Sequence, residues 1–103
     1  MNTRQKGNDE MFEKDIEKAL VREVKNRRGV AFKFVSPGMA GVPDRIVILP
    51  GSIIAFIELK KPGEQLRPLQ EKRASQLEAL GFSVFCIDSK DQIKEVLDEI
   101  QSA

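Results

Sequence analysis

Three residues at the ends of two short apolar runs have the types and spacing for phosphate-ester chemistry: Asp44, Glu58 and Lys60. The runs are Arg45–Leu49 and Ile53–Leu59, separated by Pro50-Gly51-Ser52. Runs of Val, Ile and Phe bounded by Pro, Gly and Ser read as strands, and a three-residue break containing glycine reads as a hairpin loop. If Leu49 faces Ile53, counting back residue by residue sets Asp44 opposite Glu58. Directly opposed residues in an antiparallel pair have Cβ atoms roughly 4.5–5.5 Å apart. Two carboxylates that close repel each other unless a cation lies between them. Lys60 lies two residues past Glu58 and so points to the same side of its strand. The pattern predicts a divalent-metal site with a basic neighbour.

Hard divalent cations take oxygen ligands, and Mg²⁺ typically combines one or two carboxylates with waters and substrate phosphate. Asp44 and Glu58 would supply the carboxylates. The cation would polarise a scissile phosphate and lower the pKa of a water. Lys60 would orient that water or stabilise charge developing on the phosphoryl group. The bland alternative is a surface Glu/Lys strand pair with no chemistry.

The set Pro43-Asp44…Glu58-Leu59-Lys60 resembles the nuclease superfamily named for its Pro-Asp…(Asp/Glu)-x-Lys signature. More closely, the chain resembles the small phage and bacterial VRR-NUC domains. The likeness rests on Gly41-Val42-Pro43-Asp44-Arg45, Ile57-Glu58-Leu59-Lys60, Gln70 and Gly81, and spans nearly all of the chain beyond the first ten residues. It implies a DNA endonuclease using Mg²⁺ or Mn²⁺, with the backbone carbonyl of Leu59 as a further metal ligand. It also implies a glutamate on the first helix. Glu13 and Glu17 both qualify, being four residues apart and hence on one helix face; Glu17 is favoured by its distance from the glycine that ends the helix. Gln70 would reach the site from the helix that follows the Glu-Leu-Lys strand. Relatives of this kind include Holliday-junction resolvases, so branched or junction DNA and a homodimer are the implied partners. Flap or nick-directed cleavage, and a non-catalytic DNA-binding module with a degenerate site, are the competing readings.

Composition narrows the chemistry. The 103 residues hold no histidine, which excludes imidazole general acids, Ser-His or Cys-His triads and His-ligated zinc. The net charge is only +1, so phosphate contacts must come from local clusters. Lys33, Ser36, Arg45 and Lys61 would meet phosphates near the site, and Arg67, Lys72 and Arg73 would extend the path. The lack of Trp and Tyr argues against stacking on single strands as the main binding mode. One cysteine, Cys86, cannot form an internal disulfide and is expected as a small buried hydrophobe. No apolar run approaches the ~20 residues that span a bilayer, and the polar start MNTRQKGNDE shows no signal peptide, so a cytoplasmic protein away from membranes is expected.

The elements that must position the site follow from pattern. Residues 1–8 are polar and expected to fray. A helix should begin at Asp9 or Glu10, with Asp9 as N-cap, and run to about Arg28, where Gly29 stops it. Val30–Val35 reads as a strand, and residues 36–41 as a loop broken by Pro37, Gly38 and Gly41. After the hairpin, Pro68–Leu80 reads as a helix closed by Gly81. Phe82–Ile87 reads as a buried strand, and Ser89 as the cap of a last amphipathic helix bearing Ile93, Val96, Leu97 and Ile100. The order α-β-β-β-α-β-α predicts a single α/β domain with a central mixed sheet flanked by helices. It also matches the restriction-endonuclease-like αβββαβ core that the resemblance implies.

Overall fold

The hairpin forms where the sequence puts it. In the computed structural model, which describes the backbone of residues 2–102 and the side chains of residues 13–102, strands β2 (Arg45–Leu49) and β3 (Ile53–Leu59) pair antiparallel with Leu49 opposite Ile53 and Arg45 opposite Ile57. Gly51 and Ser52 both take positive φ, 91° and 63°, and so reverse the chain between them. Strand β1 (Val30–Lys33) adds antiparallel to β2. Helix α2 (Pro68–Ala79) then crosses over and returns β4 (Ser83–Ile87) parallel to β3, the connection a parallel pair requires. The result is a four-stranded mixed sheet in the order β1-β2-β3-β4. Helix α1 (Asn2–Asn26) precedes the sheet and α3 (Asp91–Ser102) follows it.

Strand alternation divides the apolar residues between two faces. One face carries Ala31, Val47, Leu49, Ala55, Ile57, Leu59 and Ile87, all buried against Ile16, Ala19, Leu20 and Val24 of α1 and Ile93, Leu97 and Ile100 of α3. This is the main core. The other face is covered by α2 only on the β4 side. There Phe56 packs against Phe34 (5.7 Å between ring centroids) and edge-on against Phe82 (5.5 Å). Among the described residues, no helix is long and apolar enough to cross a membrane.

Several local expectations need correction. Helix α1 begins at Asn2, ahead of Asp9 and Glu10; no proline interrupts residues 2–8, and the helix runs through Gly7 despite its low helix propensity. The side chain of Asp9, the expected N-cap, lies outside the described residues. Strand β1 ends at Lys33, before Val35, and α2 ends at Ala79. Strand β4 is not buried: it forms an edge of the sheet, Cys86 is exposed, and only Ile87 at its end is buried. The N-terminus of α3 is held by Gln92, whose Oε1 accepts from the Asp88 and Ser89 amides (2.7 and 3.2 Å), rather than by the Ser89 hydroxyl.

Gly29 follows the first helix as expected, but for a different reason. The left-handed residue at the helix end is Arg28, with φ of 64°. Gly29 is required because a Cβ there would press on the Ile48 carbonyl oxygen and sit 2.8 Å from Leu49 Cδ2. Gly29→Ala should therefore destabilise by about 1–3 kcal/mol through overpacking, whereas Arg28→Gly should be neutral or stabilise by up to about 1 kcal/mol. Thermal melts of the two variants, opposite in sign, check the assignment.

Candidate active site

Asp44 sits one residue before β2. Its carbonyl accepts the Phe34 amide (2.9 Å), and its Oδ2 accepts the Leu59 amide from β3 (2.8 Å). The aspartate is thus tied to both neighbouring strands, and its carboxylate is held beside β3 while the residue stays open to solvent. Arg45 opposes Ile57, so the same register carries Asp44 to Glu58. Glu58 is 3% exposed. Burial pushes its carboxyl up to about 8, and a hydrogen bond and charge from Asp44 add to the shift; Lys60 and Arg67 oppose it. Glu58 therefore keeps its proton through neutral pH beside the Asp44 side chain. A cation between the two side chains would favour the ionised form of Glu58. The donor set thus fits a hard divalent ion.

Lys60 lies on the same side of the chain as Glu58 and is 5% exposed. Its amide donates to Ile87 (3.0 Å), and its Nζ is 3.8 Å from Glu64 Oε1. Asp44, Glu58 and Lys60 therefore converge as their spacing predicts. Among the described residues no group of three or more His, Cys, Asp and Glu side chains surrounds a common point. An ion here would lean on two carboxylates, backbone oxygen and solvent or substrate oxygen, the pattern typical of Mg²⁺.

On the other side of Asp44 lies a cleft of about 120 Å³ lined by Glu13, Lys14, Glu17, Asp44 and Leu59. Both candidate helix glutamates and the candidate backbone ligand thus line one space with Asp44. They differ in their partners. Glu17 Oε2 accepts from Arg45 Nη2 (3.0 Å), while Arg45 Nη1 donates to the Ala31 carbonyl (2.8 Å). Glu13 makes no ion pair among the described residues.

The Arg45 clamp corrects the sequence-based expectation for that residue. Its guanidinium is turned inward, joining α1, β1 and β2, and its Nε is buried without a partner. It is not displayed toward a phosphate. Gln70 also differs: its Oε1 accepts the Arg67 amide (2.9 Å) and so caps the first turn of α2 instead of reaching the carboxylates. Arg73 donates from Nε to the Ala40 carbonyl (2.8 Å) and from Nη1 to Gln76 (3.1 Å), stapling the 36–41 loop to α2. Ser36 is half-buried at the start of that loop. Lys33, Arg67 and Lys72 remain exposed and Lys61 half-exposed, with Arg67 near enough to Glu58 to bias its titration.

Gly41, one of the loop breakers, is held both by its turn and by a close approach to α2. Its φ is 89°, and a Cβ would lie 2.8 Å from Leu69 Cγ and 2.9 Å from the Leu69 carbonyl oxygen. The loop that delivers Asp44 is therefore packed directly on α2. Sequence reasoning missed Phe34, whose amide anchors Asp44, and the pairing of Glu17 with Arg45. Backbone anchors leave no side-chain signature, and a pair 28 positions apart shows no local period.

No family model matches the chain. A curated protein named "Putative nuclease p44", from Acyrthosiphon pisum secondary endosymbiont phage 1, is 52% identical over 79 residues, covering 77% of this chain and 85% of that protein. A solved structure described as a "VRR_NUC domain" superposes with a TM-score of 0.79 at 26% identity, over 84% of this chain and 94% of that one.

Proposed function

Given that the chain belongs to the VRR-NUC nucleases, we propose that it is a divalent-metal-dependent endonuclease that cuts branched DNA, acting as a homodimer on four-way junctions. The observation that carries the metal dependence is the Asp44–Glu58 pair, in which a buried carboxyl lies against a second carboxyl with Lys60 beside them. Asp44 and Glu58 would hold Mg²⁺ or Mn²⁺, with the Leu59 carbonyl and one helix glutamate, Glu13 or Glu17, adding oxygen from the adjoining cleft. Such an ion would supply Lewis acidity toward the scissile phosphate and an acidified water. Lys60, buried against this pair, places its ammonium where negative charge develops on the phosphoryl group. The Leu59 amide keeps the Asp44 carboxylate aimed at that point throughout. Lys61, Arg67 and Lys72 would guide the backbone of the strand to be cut. Gln70 would act at one remove, by capping the helix that displays Arg67.

The preference for junctions rests on symmetry. One site on a monomer can nick a strand but has no geometric reason to favour a four-way branch. A two-fold dimer presents two sites in a relation that matches the paired strands of a junction. The purified protein should be assayed with Mg²⁺ or Mn²⁺, and with chelator, against duplex, flap, splayed-arm and four-way substrates of equal length. Junction cleavage should dominate, and the binding preference should widen as salt rises and backbone-only contacts fade. Equal affinity for duplex and junction at low and high salt would point instead to a flap or nicking enzyme. Cleavage that persists in chelator would refute the metal site.

A further inference from the structure

Strand alternation sets Arg45, Val47 and Leu49 of β2 on one face, the face that α1 covers. Val47 and Leu49 are buried in the main core and Arg45 opposes the buried Ile57, so an apolar residue at 45 would simply continue the row. The chain instead places a cation there, with its side chain only 11% exposed. As a staple this is a poor choice. A buried ion pair seldom outperforms well-packed apolar groups of similar size. The Nε of this guanidinium is also buried without a partner, an unfavourable state for a donor on a charged group. Departures from good packing of this kind belong at functional sites, and Arg45 directly follows Asp44.

We propose that Arg45 is a positioning residue that makes Glu17, rather than Glu13, the helix carboxylate of the active site. The inference rests on the metal-dependent nuclease reading above and adds which residue fixes that carboxylate in place. The guanidinium is anchored at one end, where Nη1 donates to the Ala31 carbonyl of β1 (2.8 Å). From that anchor Nη2 donates to Glu17 Oε2 (3.0 Å). The Glu17 side chain is still 36% exposed and lines the cleft with Asp44 and Leu59. Among the described residues only its Oε2 is engaged, which leaves Oε1 for the cleft. Arg45 thus balances the charge of a carboxylate brought toward Asp44 and restrains its rotation, as a partner behind a metal ligand does. Glu13 lines the same cleft from one helical turn earlier, about 6 Å along the axis. It has no such brace, for it enters no ion pair among the described residues.

Calorimetry should follow Mn²⁺ binding to the full chain without DNA, alongside plasmid cleavage with Mn²⁺ and DNA binding in chelator. The samples are wild type, Arg45→Met, Arg45→Lys, Glu17→Gln, Glu13→Gln and the double variant Arg45→Met/Glu17→Gln. Arg45→Met puts apolar carbon in place of the buried cation and should keep the wild-type circular dichroism. It should bind Mn²⁺ about 10–100-fold more weakly and lose kcat by a similar factor, while DNA affinity in chelator holds. Lysine keeps the charge but cannot grip Ala31 and Glu17 together, so Arg45→Lys should lose at least about tenfold as well; it carries the test if the methionine variant does not fold. Glu17→Gln should cost more Mn²⁺ affinity than Glu13→Gln, a comparison that needs neither Arg45 variant. Because Arg45 acts through Glu17, the double variant should be no weaker than Glu17→Gln alone. Wild-type Mn²⁺ affinity in the Arg45 variants, a loss confined to DNA affinity, losses that multiply in the double variant, or a larger loss from Glu13→Gln would each overturn the proposal. Any of these, beside a wild type that binds Mn²⁺ and cuts DNA, would leave the nuclease reading standing. A wild type that neither binds Mn²⁺ nor cuts would overturn that reading, and this inference with it.

Discussion

Glu58→Gln is expected to abolish cleavage, by roughly a thousandfold or more on the scale of losing a main electrostatic stabiliser, and at the same time to make the metal-free protein more stable at alkaline pH. The two effects have one cause. The folded, metal-free protein holds a proton on Glu58 up to about pH 8, while an ordinary glutamate titrates at 4.5. Between those values the folded state binds more protons than the unfolded chain, so stability falls as pH rises through the window. A neutral glutamine keeps the shape and has no charge to bury. Its melting temperature should exceed that of the wild type above pH 8, and the difference should vanish near pH 4. Asp44→Asn should also be inactive, since it removes the other carboxylate and weakens the acceptor for the Leu59 amide. Unchanged cleavage in either variant, or a Glu58→Gln protein less stable than wild type at pH 9, would remove this pair from the site.

The affinity for Mg²⁺ or Mn²⁺ should climb close to tenfold per pH unit between about pH 6 and 7.5 and level off above about 8. An ion that binds Glu58 as a carboxylate must displace its proton, and metal binding that releases a proton follows pH in this way. Calorimetry in buffers of different ionisation enthalpy should count nearly one proton released at pH 7 and none at pH 9. The limb belongs to a carboxyl, for the chain has no imidazole to supply one. Affinity that is flat from pH 6 to 8 would show that Glu58 does not ligate the ion.

The parts of the molecule legible in sequence are those set by short-range rules. The hairpin ends were readable because Val, Ile and Phe runs meet Pro50 and Gly51, and its register followed from a loop of three residues. With the register came the Asp44–Glu58 encounter and the placement of Lys60. What escaped was decided by tertiary packing. Cys86 lies in an apolar run but on an edge strand, and no local pattern tells an edge from a centre. Arg45 reads as a surface cation beside an acidic residue, yet Glu17 and the Ala31 carbonyl draw it inward across 28 and 14 positions of sequence. Gln70 has the composition of a substrate contact, while the free amide of Arg67 three residues earlier claims its oxygen. Gly29 was recognised as necessary, but the approach of the Ile48 carbonyl that makes it so belongs to the assembled sheet.

The turn at Pro50-Gly51-Ser52 has a consequence for how this enzyme can evolve. It lies at the far end of the hairpin from Asp44 and Glu58, and nothing in it takes part in chemistry. Yet strand pairing has a period of two, and a slip of one residue turns every side chain to the opposite face. A single-residue insertion or deletion absorbed by re-pairing β2 with β3 would send Glu58 and Lys60 into the α1 side of the sheet and leave Asp44 facing apolar carbon. The positive φ angles at Gly51 and Ser52 that fix the loop length therefore act as a reading frame for the active site. Length changes should be tolerated in the 36–41 loop or after Lys61 long before they are tolerated in this turn, although it lies at the end of the hairpin away from Asp44 and Glu58.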